Sequence, residues 1–211
     1  IYIHLELISP TTIPMKKLVI HIGTGKTGTS SIQRFMGLNF DLLMKQNIFY
    51  PKLLTNLGEI KKHILLLLCF MENPKSTKVF HDIIGNFYGN VEADKNLSNK
   101  LEEFKIRIGT LPKKNFTTVI SCEDLYDMNL FTSNSIKSIS QYLNDLFDDI
   151  TLLVYVREPL SHGISDLSED VKFGGKLSKL QEPCDNIKLN HKKKLIEWLN
   201  NFSYKNFIVS R

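Results

Sequence analysis

The chain has 211 residues, of which 42% are hydrophobic and 23% are charged, and its formal net charge is +5 at pH 7. This length suits one domain with a single core. The three cysteines are too few and too scattered for a disulfide framework or a zinc site, and the longest apolar run, 64–71, is far too short to span a membrane. We therefore expect a cytoplasmic protein without a membrane span.

The chain is predicted to contain one folded unit and a short extension. Met15 reads as a natural start directly before the first predicted strand, 17–22. Residues 1–14 are expected to be upstream or vector-derived sequence, which is excluded from the fold. Residues 15–211 are expected to form a single domain.

The strand 17–22 runs directly into a glycine-rich turn and an amphipathic helix. Gly23, Gly25 and Gly28 allow the backbone to come close to a ligand, and the first amides of a helix have no partner inside it. Lys26 adds a positive charge. Hydroxyl groups that can donate to phosphate oxygens follow at Thr27, Thr29, Ser30 and Ser31. The segment predicts a phosphate-binding loop.

This loop differs from that of nucleotide triphosphatases, which needs a glycine, four residues, and then Gly-Lys-Ser/Thr. Gly25-Lys26-Thr27 fits the end of that pattern, but its first glycine would fall on Ile20, inside the strand. The loop is therefore shorter than one that wraps a triphosphate with magnesium. A magnesium-dependent kinase or NTPase stays open as an alternative, as does a strand-to-helix turn that binds nothing.

The stretch 36–110 has little strand pattern beyond a short segment at 47–50. It is predicted to be a helical insertion that shapes an acceptor pocket, with helices at 58–71, 78–88 and 96–108.

Two later strands, 116–121 and 150–156, end in polar residues. Arg157 ends the second, and Ser165 lies about two turns along the helix predicted for 159–173. Open α/β sheets bind ligands at the carboxyl ends of their strands. An arginine fork with a hydroxyl group suits a second, separate phosphate.

The remaining elements are helices at 134–147 and 189–202 and a strand at 206–210. The alternation predicts an α/β fold, a three-layer sandwich with a mostly parallel central sheet and helices on both faces. The last strand stands at the end of the chain, so we expect the domain to be incomplete there. The lysines at 192–194 are predicted to lie on a solvated helix face, and no nucleic-acid partner is expected.

In these motifs the sequence resembles sulfotransferases that use 3′-phosphoadenosine 5′-phosphosulfate (PAPS). The run Lys26-Thr27-Gly28-Thr29-Ser30 resembles the 5′-phosphosulfate loop of that family. Arg157, with Ser165 eight residues later, resembles its 3′-phosphate site. Gly25 stands where many relatives carry proline.

Further matching segments place the resemblance in the bacterial branch of the P-loop sulfotransferase superfamily. They are His21-Ile22-Gly23, Tyr50-Pro51, Ser121-Cys122-Glu123 and Val156-Arg157-Glu158-Pro159. The resemblance covers about residues 16–211 and implies a P-loop NTPase-like sulfotransferase fold that is truncated at its C-terminus.

The resemblance implies transfer of a sulfuryl group from PAPS to a hydroxyl or amine of a carbohydrate, lipid or small metabolite, leaving adenosine 3′,5′-bisphosphate, with no metal. The cofactor-binding residues would be Gly25, Lys26, Thr27, Gly28, Thr29, Ser30, Arg157 and Ser165. Lys26 would also be catalytic, because charge accumulates on the leaving 5′-phosphate. A non-catalytic nucleotide-binding relative is a further alternative.

The acceptor proton needs a general base. Glu123 is the first candidate, because it follows the strand 116–121 and should emerge at the same sheet edge as Lys26 and Arg157. It can equally be a first-turn acid of the next helix. His63 is the second candidate, because the insertion should cover the cofactor and bacterial relatives carry a histidine there. A lone histidine on an amphipathic helix is more often simply packed or solvated.

Overall fold

The computed structural model describes residues 16–55, 62–76, 80–81, 93–112, 116–126, 131–158, 161, 163–165, 168, 191–202 and 207–210. Within them, five strands form one sheet in the order β2-β3-β1-β4-β5, and all neighbouring strands are parallel. The strands are β1 Lys17–His21, β2 Ile48–Phe49, β3 Thr117–Ser121, β4 Asp149–Tyr155 and β5 Phe207–Ser210.

The described helices surround this sheet, because parallel strands need long crossover connections. They are α1 Thr29–Leu38, α2 Phe40–Lys45, α3 Ile64–Phe70, α4 Ala93–Thr110, α5 Ser133–Asn144 and α6 His191–Leu199. Short 3₁₀ turns occur at Lys52–Leu54, Pro74–Ser76 and Glu123–Tyr126. The predicted α/β architecture is confirmed.

The central strand β1 lies between β3 and β4, and its pairing continues past its last residue. The amides of Ile22 and Thr24 donate to the carbonyls of Leu153 and Tyr155, both at 3.0 Å. The segment after β1 is therefore fixed to β4 by backbone hydrogen bonds. Any group on this segment is held close to the carboxyl end of β4.

The core is built around α3, whose residues 64–68 are all buried. A helix that is apolar on every side is stable only when other elements surround it. It packs against α4 and α5. On another part of the core, Trp198 of α6 stacks against Phe131 and Phe202, with ring centroids 6.0 and 5.7 Å apart.

The predicted strands agree with the structure to within two residues at each end, including the short one at 47–50. The helix predicted for 134–147 ends at Asn144, since residues 145 and 146 form the turn that leads to β4. The helix predicted for 58–71 begins at Ile64 in the described part, because Lys62 and His63 are not helical.

Several predictions fall on residues outside the described ranges. They concern residues 1–14, nearly all of the helix predicted for 78–88, and most of the helix predicted for 159–173, of which 161, 163–165 and 168 are described as helical. The described part of the chain contains no helix with the length and apolar character needed to cross a membrane.

Candidate nucleotide-binding site

Between β1 and α1 the chain turns through residues 23–28. Lys26 has a φ of 62° and Gly28 a φ of 84°, so both adopt the left-handed conformation, which is uncommon for a residue other than glycine. Two hydroxyl groups hold the turn: Thr24 Oγ1 donates to the carbonyl of Tyr155 at 3.1 Å, and Thr27 Oγ1 donates to that of Thr24 at 2.6 Å. The loop therefore has a fixed shape against the end of β4.

The glycines of the loop serve two different needs. A Cβ atom on Gly23 would lie 2.6 Å from His21 Nε2, so the backbone there packs directly on the histidine ring. A Cβ atom on Gly25 or Gly28 would meet nothing within 4 Å. Gly28 is also the N-cap of α1 and gives the first turn no side-chain hydrogen bond. The loop thus presents an open backbone face at a helix N-terminus, which suits an anion.

Arg157 joins this loop from the end of β4. Its Nη1 donates to the carbonyl oxygen of Lys26 at 3.1 Å, across 131 residues of sequence. The order of the strands reverses between β1 and β4, and open α/β sheets bind ligands at such a crevice. The Arg157 side chain and the Lys26 backbone therefore meet at this edge of the sheet.

The other predicted cofactor residues differ in their surroundings. The Thr27 hydroxyl donates its proton within the loop, so it is not free to donate to a phosphate in this geometry. Thr29 is buried and Ser30 exposed at the start of α1. Ser165 is helical and half-buried, and within the described parts of the chain it makes no hydrogen bond to Arg157 or to the loop.

A buried polar cluster lies at the end of the neighbouring strand β3. Its centre is the Ser121 hydroxyl, which lies 2.8 Å from His21 Nδ1 and accepts a hydrogen bond from Gln33 Nε2 at 3.3 Å. The same Gln33 nitrogen donates to Glu123 Oε2. Burial lowers the pKa of His21 to about 4, so its ring is neutral. Helix α1, which begins at the loop, is thereby joined to Glu123.

Gln33 is a residue to which the sequence assigned no role. It is completely buried, and it lies four residues after Thr29, the other buried residue of α1. Residues four apart share one face of a helix. The sequence signal that could have identified Gln33 is a glutamine on the inward face of the helix that follows the predicted phosphate-binding loop.

His63 is held by the backbone on both sides of its ring. Nε2 donates to the carbonyl of Pro51 at 3.1 Å, and Nδ1 accepts from the Ser121 amide at 3.0 Å. The side chain is completely buried, and burial lowers its pKa to about 4, although the carbonyl oxygens of Pro51 and of Ser121, which lies 3.2 Å from Nδ1, act to raise it. Neither nitrogen has a lone pair left for an acceptor proton. His63 therefore links β3 to the segment after β2, and its role as a base stays a prediction.

Glu123 begins the 3₁₀ turn that follows β3, and its side chain keeps 20% of its surface exposed. Lys62 Nζ lies 2.6 Å from Asp124 Oδ2 and 3.9 Å from Glu123 Oε1. Burial alone would lower the pKa of Lys62, but the adjacent Asp124 carboxylate contributes to a net increase. Of the two candidate bases, Glu123 is partly exposed, whereas His63 is completely buried.

Comparison with known proteins gives distant matches at the level of structure. The structure is similar to those of two sulfotransferases. One is from Alicyclobacillus acidocaldarius, with 14% identity and a TM-score of 0.46, over 92% of this chain and 72% of the other. The second is the sulfotransferase domain from the curacin biosynthetic pathway, with 13% identity and a TM-score of 0.44, over 93% of this chain and 66% of that domain.

The sequence itself gives no such match. No protein-family model and no curated protein matches it. The structural likeness is too distant to say anything about activity, so a function has to be argued from the residues of the site.

Proposed function

We propose that the chain binds PAPS at the carboxyl ends of β1 and β4 and transfers its sulfuryl group to a hydroxyl or amine of a carbohydrate, lipid or small metabolite. The observation that carries this proposal is the contact of Arg157 with the Lys26 carbonyl at 3.1 Å. It brings together the two sequence motifs that resemble the 5′-phosphosulfate and 3′-phosphate sites of sulfotransferases. A strand-to-helix turn without a ligand gives no reason for an arginine from a different strand end to reach its backbone.

The residues present fit such a ligand. The open backbone face at Gly25 and Gly28 and the start of α1 offer amides to one anionic group, and Lys26 offers a positive charge. Arg157 offers a planar fork that suits a second phosphate. When bound, PAPS would supply a sulfuryl group activated by attachment to a phosphate.

The chain's own residues would contribute charge and proton transfer. Lys26 stabilises negative charge that develops on the leaving 5′-phosphate oxygens. Glu123 accepts the proton of the acceptor's hydroxyl or amine. Gln33 keeps the Glu123 carboxylate in place through its hydrogen bond to Oε2. Because Gln33 belongs to α1, the base is tied to the helix whose N-terminus faces the cofactor.

A magnesium-dependent kinase or NTPase is less well supported by these contacts. Such an enzyme needs an acidic side chain at a strand end to hold the metal. Asp124 is instead paired with Lys62 at 2.6 Å, and Glu123 is hydrogen-bonded to Gln33.

The cytoplasm is our proposed compartment, since the two described cysteines, Cys69 and Cys122, are free thiols.

Calorimetric titration tests the proposal with three ligands: adenosine 3′,5′-bisphosphate, 5′-AMP and ATP with magnesium. The bisphosphate is expected to bind, and 5′-AMP to bind at least roughly tenfold more weakly, because a hydrogen bond to a charged group nets about 1.5–3 kcal/mol. Preference for ATP with magnesium would refute the proposal. Bisphosphate binding without release of bisphosphate from PAPS in an acceptor screen would leave a non-catalytic binding protein and refute the transfer step.

A further inference from the structure

A concave site lies on the flank of the sheet, where β2 is the edge strand. It is a groove of about 340 Å³ between the start of α2, β2, the turn Lys52–Leu54 and the last turns of α4. Its lining includes Phe40, Phe49, Lys52, Glu103, Ile106 and Arg107. This volume falls within the usual range for small-molecule pockets.

The groove combines aromatic rings with positive charge. Lys52 Nζ lies 4.3 Å from the centroid of the Phe40 ring, and Arg107 Cζ lies 5.8 Å from that of Phe49. The two rings contact each other edge to face, with centroids 6.2 Å apart. Each cation is therefore placed over an aromatic face, which is a favourable position for it.

No carboxylate in the described part of the chain neutralises the two cations. Neither Lys52 nor Arg107 forms an ion pair with any residue that the structure describes. Among the described lining residues, Glu103 is the one carboxylate; it lies one helical turn before Arg107 and is not paired with it. The described lining of the groove therefore carries two positive charges and one negative charge around a mainly apolar surface.

We propose that this groove binds a small organic anion with a flat apolar body, of the class of aromatic carboxylates, sulfates or phosphate esters. The half-buried Phe40 ring and the exposed Ile106 would contact the apolar body, with the buried Phe49 ring at the base of the groove, and Lys52 and Arg107 would pair with the anionic group. Charge complementarity selects an anion over a neutral or cationic molecule of the same shape.

This site is separate from the proposed nucleotide site. Strands β3 and β1 lie between β2 and the β1–β4 junction, and neighbouring strands are about 4.8 Å apart, so the two sites are separated by roughly 10 Å. The groove therefore does not depend on the proposed function. A nucleotide and the organic anion are expected to bind at the same time.

Calorimetry with the full chain tests the proposal with 2-naphthoate as probe and uncharged 2-naphthamide as its matched control. Naphthoate is expected to bind more tightly than the amide. Lys52→Met and Arg107→Met keep the aliphatic stems, and each should weaken naphthoate binding by roughly fivefold, as expected for a partly exposed ion pair. Lys105→Met, on an exposed part of α4 outside the groove lining, should leave the affinity unchanged.

Location is checked by amide chemical shifts and by competition. Shifts caused by naphthoate should centre on Phe40, Phe49 and Thr110, and saturating adenosine 3′,5′-bisphosphate should not displace the probe. Equal affinity for acid and amide, or insensitivity to both methionine variants, would overturn the proposal. Displacement by the bisphosphate would also overturn it, because the probe would then occupy the nucleotide site. Absence of binding at millimolar naphthoate would leave the groove to another occupant and would equally refute it.

Discussion

At the carboxyl ends of β1 and β4, most polar groups belong to the backbone, whereas at the end of β3 they belong to buried side chains. The loop offers its open backbone face at Gly25 and Gly28. Lys26 of the loop is partly exposed, and Arg157, which follows β4, is fully exposed. By contrast, Ser121, His63 and Gln33 are completely buried and bonded to one another or to nearby backbone.

This difference separates ligand binding from stability. The side chains of Lys26 and Arg157 lie partly or fully at the surface, so their removal is expected to change affinity while the fold persists. Groups of the β3 cluster are buried away from water, so they depend on their protein partners for hydrogen bonds, and a buried donor or acceptor without a partner is unfavourable. Their removal is expected to change the free energy of unfolding first. His21 is the physical contact between the two regions, because it faces both Gly23 and Ser121.

The largest expected effects come from the two cations of the loop region. Lys26→Ala should abolish release of adenosine 3′,5′-bisphosphate from PAPS, because the lysine stabilises charge that appears during transfer. Arg157→Ala should mainly weaken bisphosphate binding, by roughly tenfold to a hundredfold, because it removes an anchor away from the reacting group. Both variants should unfold in urea at the wild-type midpoint. Unchanged bisphosphate affinity in Arg157→Ala would contradict the assignment.

A smaller effect, and on stability, is expected from the β3 cluster. Ser121→Ala leaves His21 Nδ1 without its partner, and Nε2 of the same ring already has no hydrogen bond to a described residue. We expect a loss of about 2 kcal/mol in the free energy of unfolding. Urea unfolding followed by the fluorescence of Trp198, the single tryptophan, measures it. Ser138→Ala, on an exposed face of α5, is the matched control and should change nothing.

The result for Ser121→Ala also bears on the comparison of the two regions. If its stability matched that of Ser138→Ala while bisphosphate affinity fell, the hydroxyl would belong to the ligand site instead of the cluster.

The sequence was sufficient to predict the regions that depend on local pattern. Short β-branched runs identified the strands, because strands buried on both faces have this composition. The loop was readable because glycines, Lys26 and a following helix are consecutive in the chain. The position of Arg157 just after β4 followed from one topological rule, that the carboxyl ends of parallel strands meet at a single sheet edge.

The β3 cluster could not be read in the same way, because its contacts join residues far apart in sequence. Ser121 lies 58, 88 and 100 residues from His63, Gln33 and His21. No spacing rule connects such positions. The contacts of His63 were not predictable for a related reason: its residue type suggests a base, whereas its hydrogen bonds are to the distant Pro51 carbonyl and Ser121 amide.

The contact between the two regions can be tested at a single loop position. In Gly23→Ala the new Cβ atom would lie 2.6 Å from His21 Nε2. The histidine ring cannot move away without losing the 2.8 Å contact of its Nδ1 with Ser121, so the loop itself must shift. We expect a loss of about 1–2 kcal/mol in the free energy of unfolding, as for other overpacked sites, together with weaker bisphosphate binding.

Gly25→Ala is the matched control for that experiment, because its Cβ atom meets nothing within 4 Å and its φ lies outside the left-handed region. Its stability should equal that of the wild type or exceed it by up to about 1 kcal/mol, since alanine restricts the unfolded chain. Urea unfolding of both variants measures the difference in their free energies of unfolding. If Gly23→Ala were as stable as Gly25→Ala, His21 would not connect the regions, and loop and cluster would be independent features of the same sheet edge.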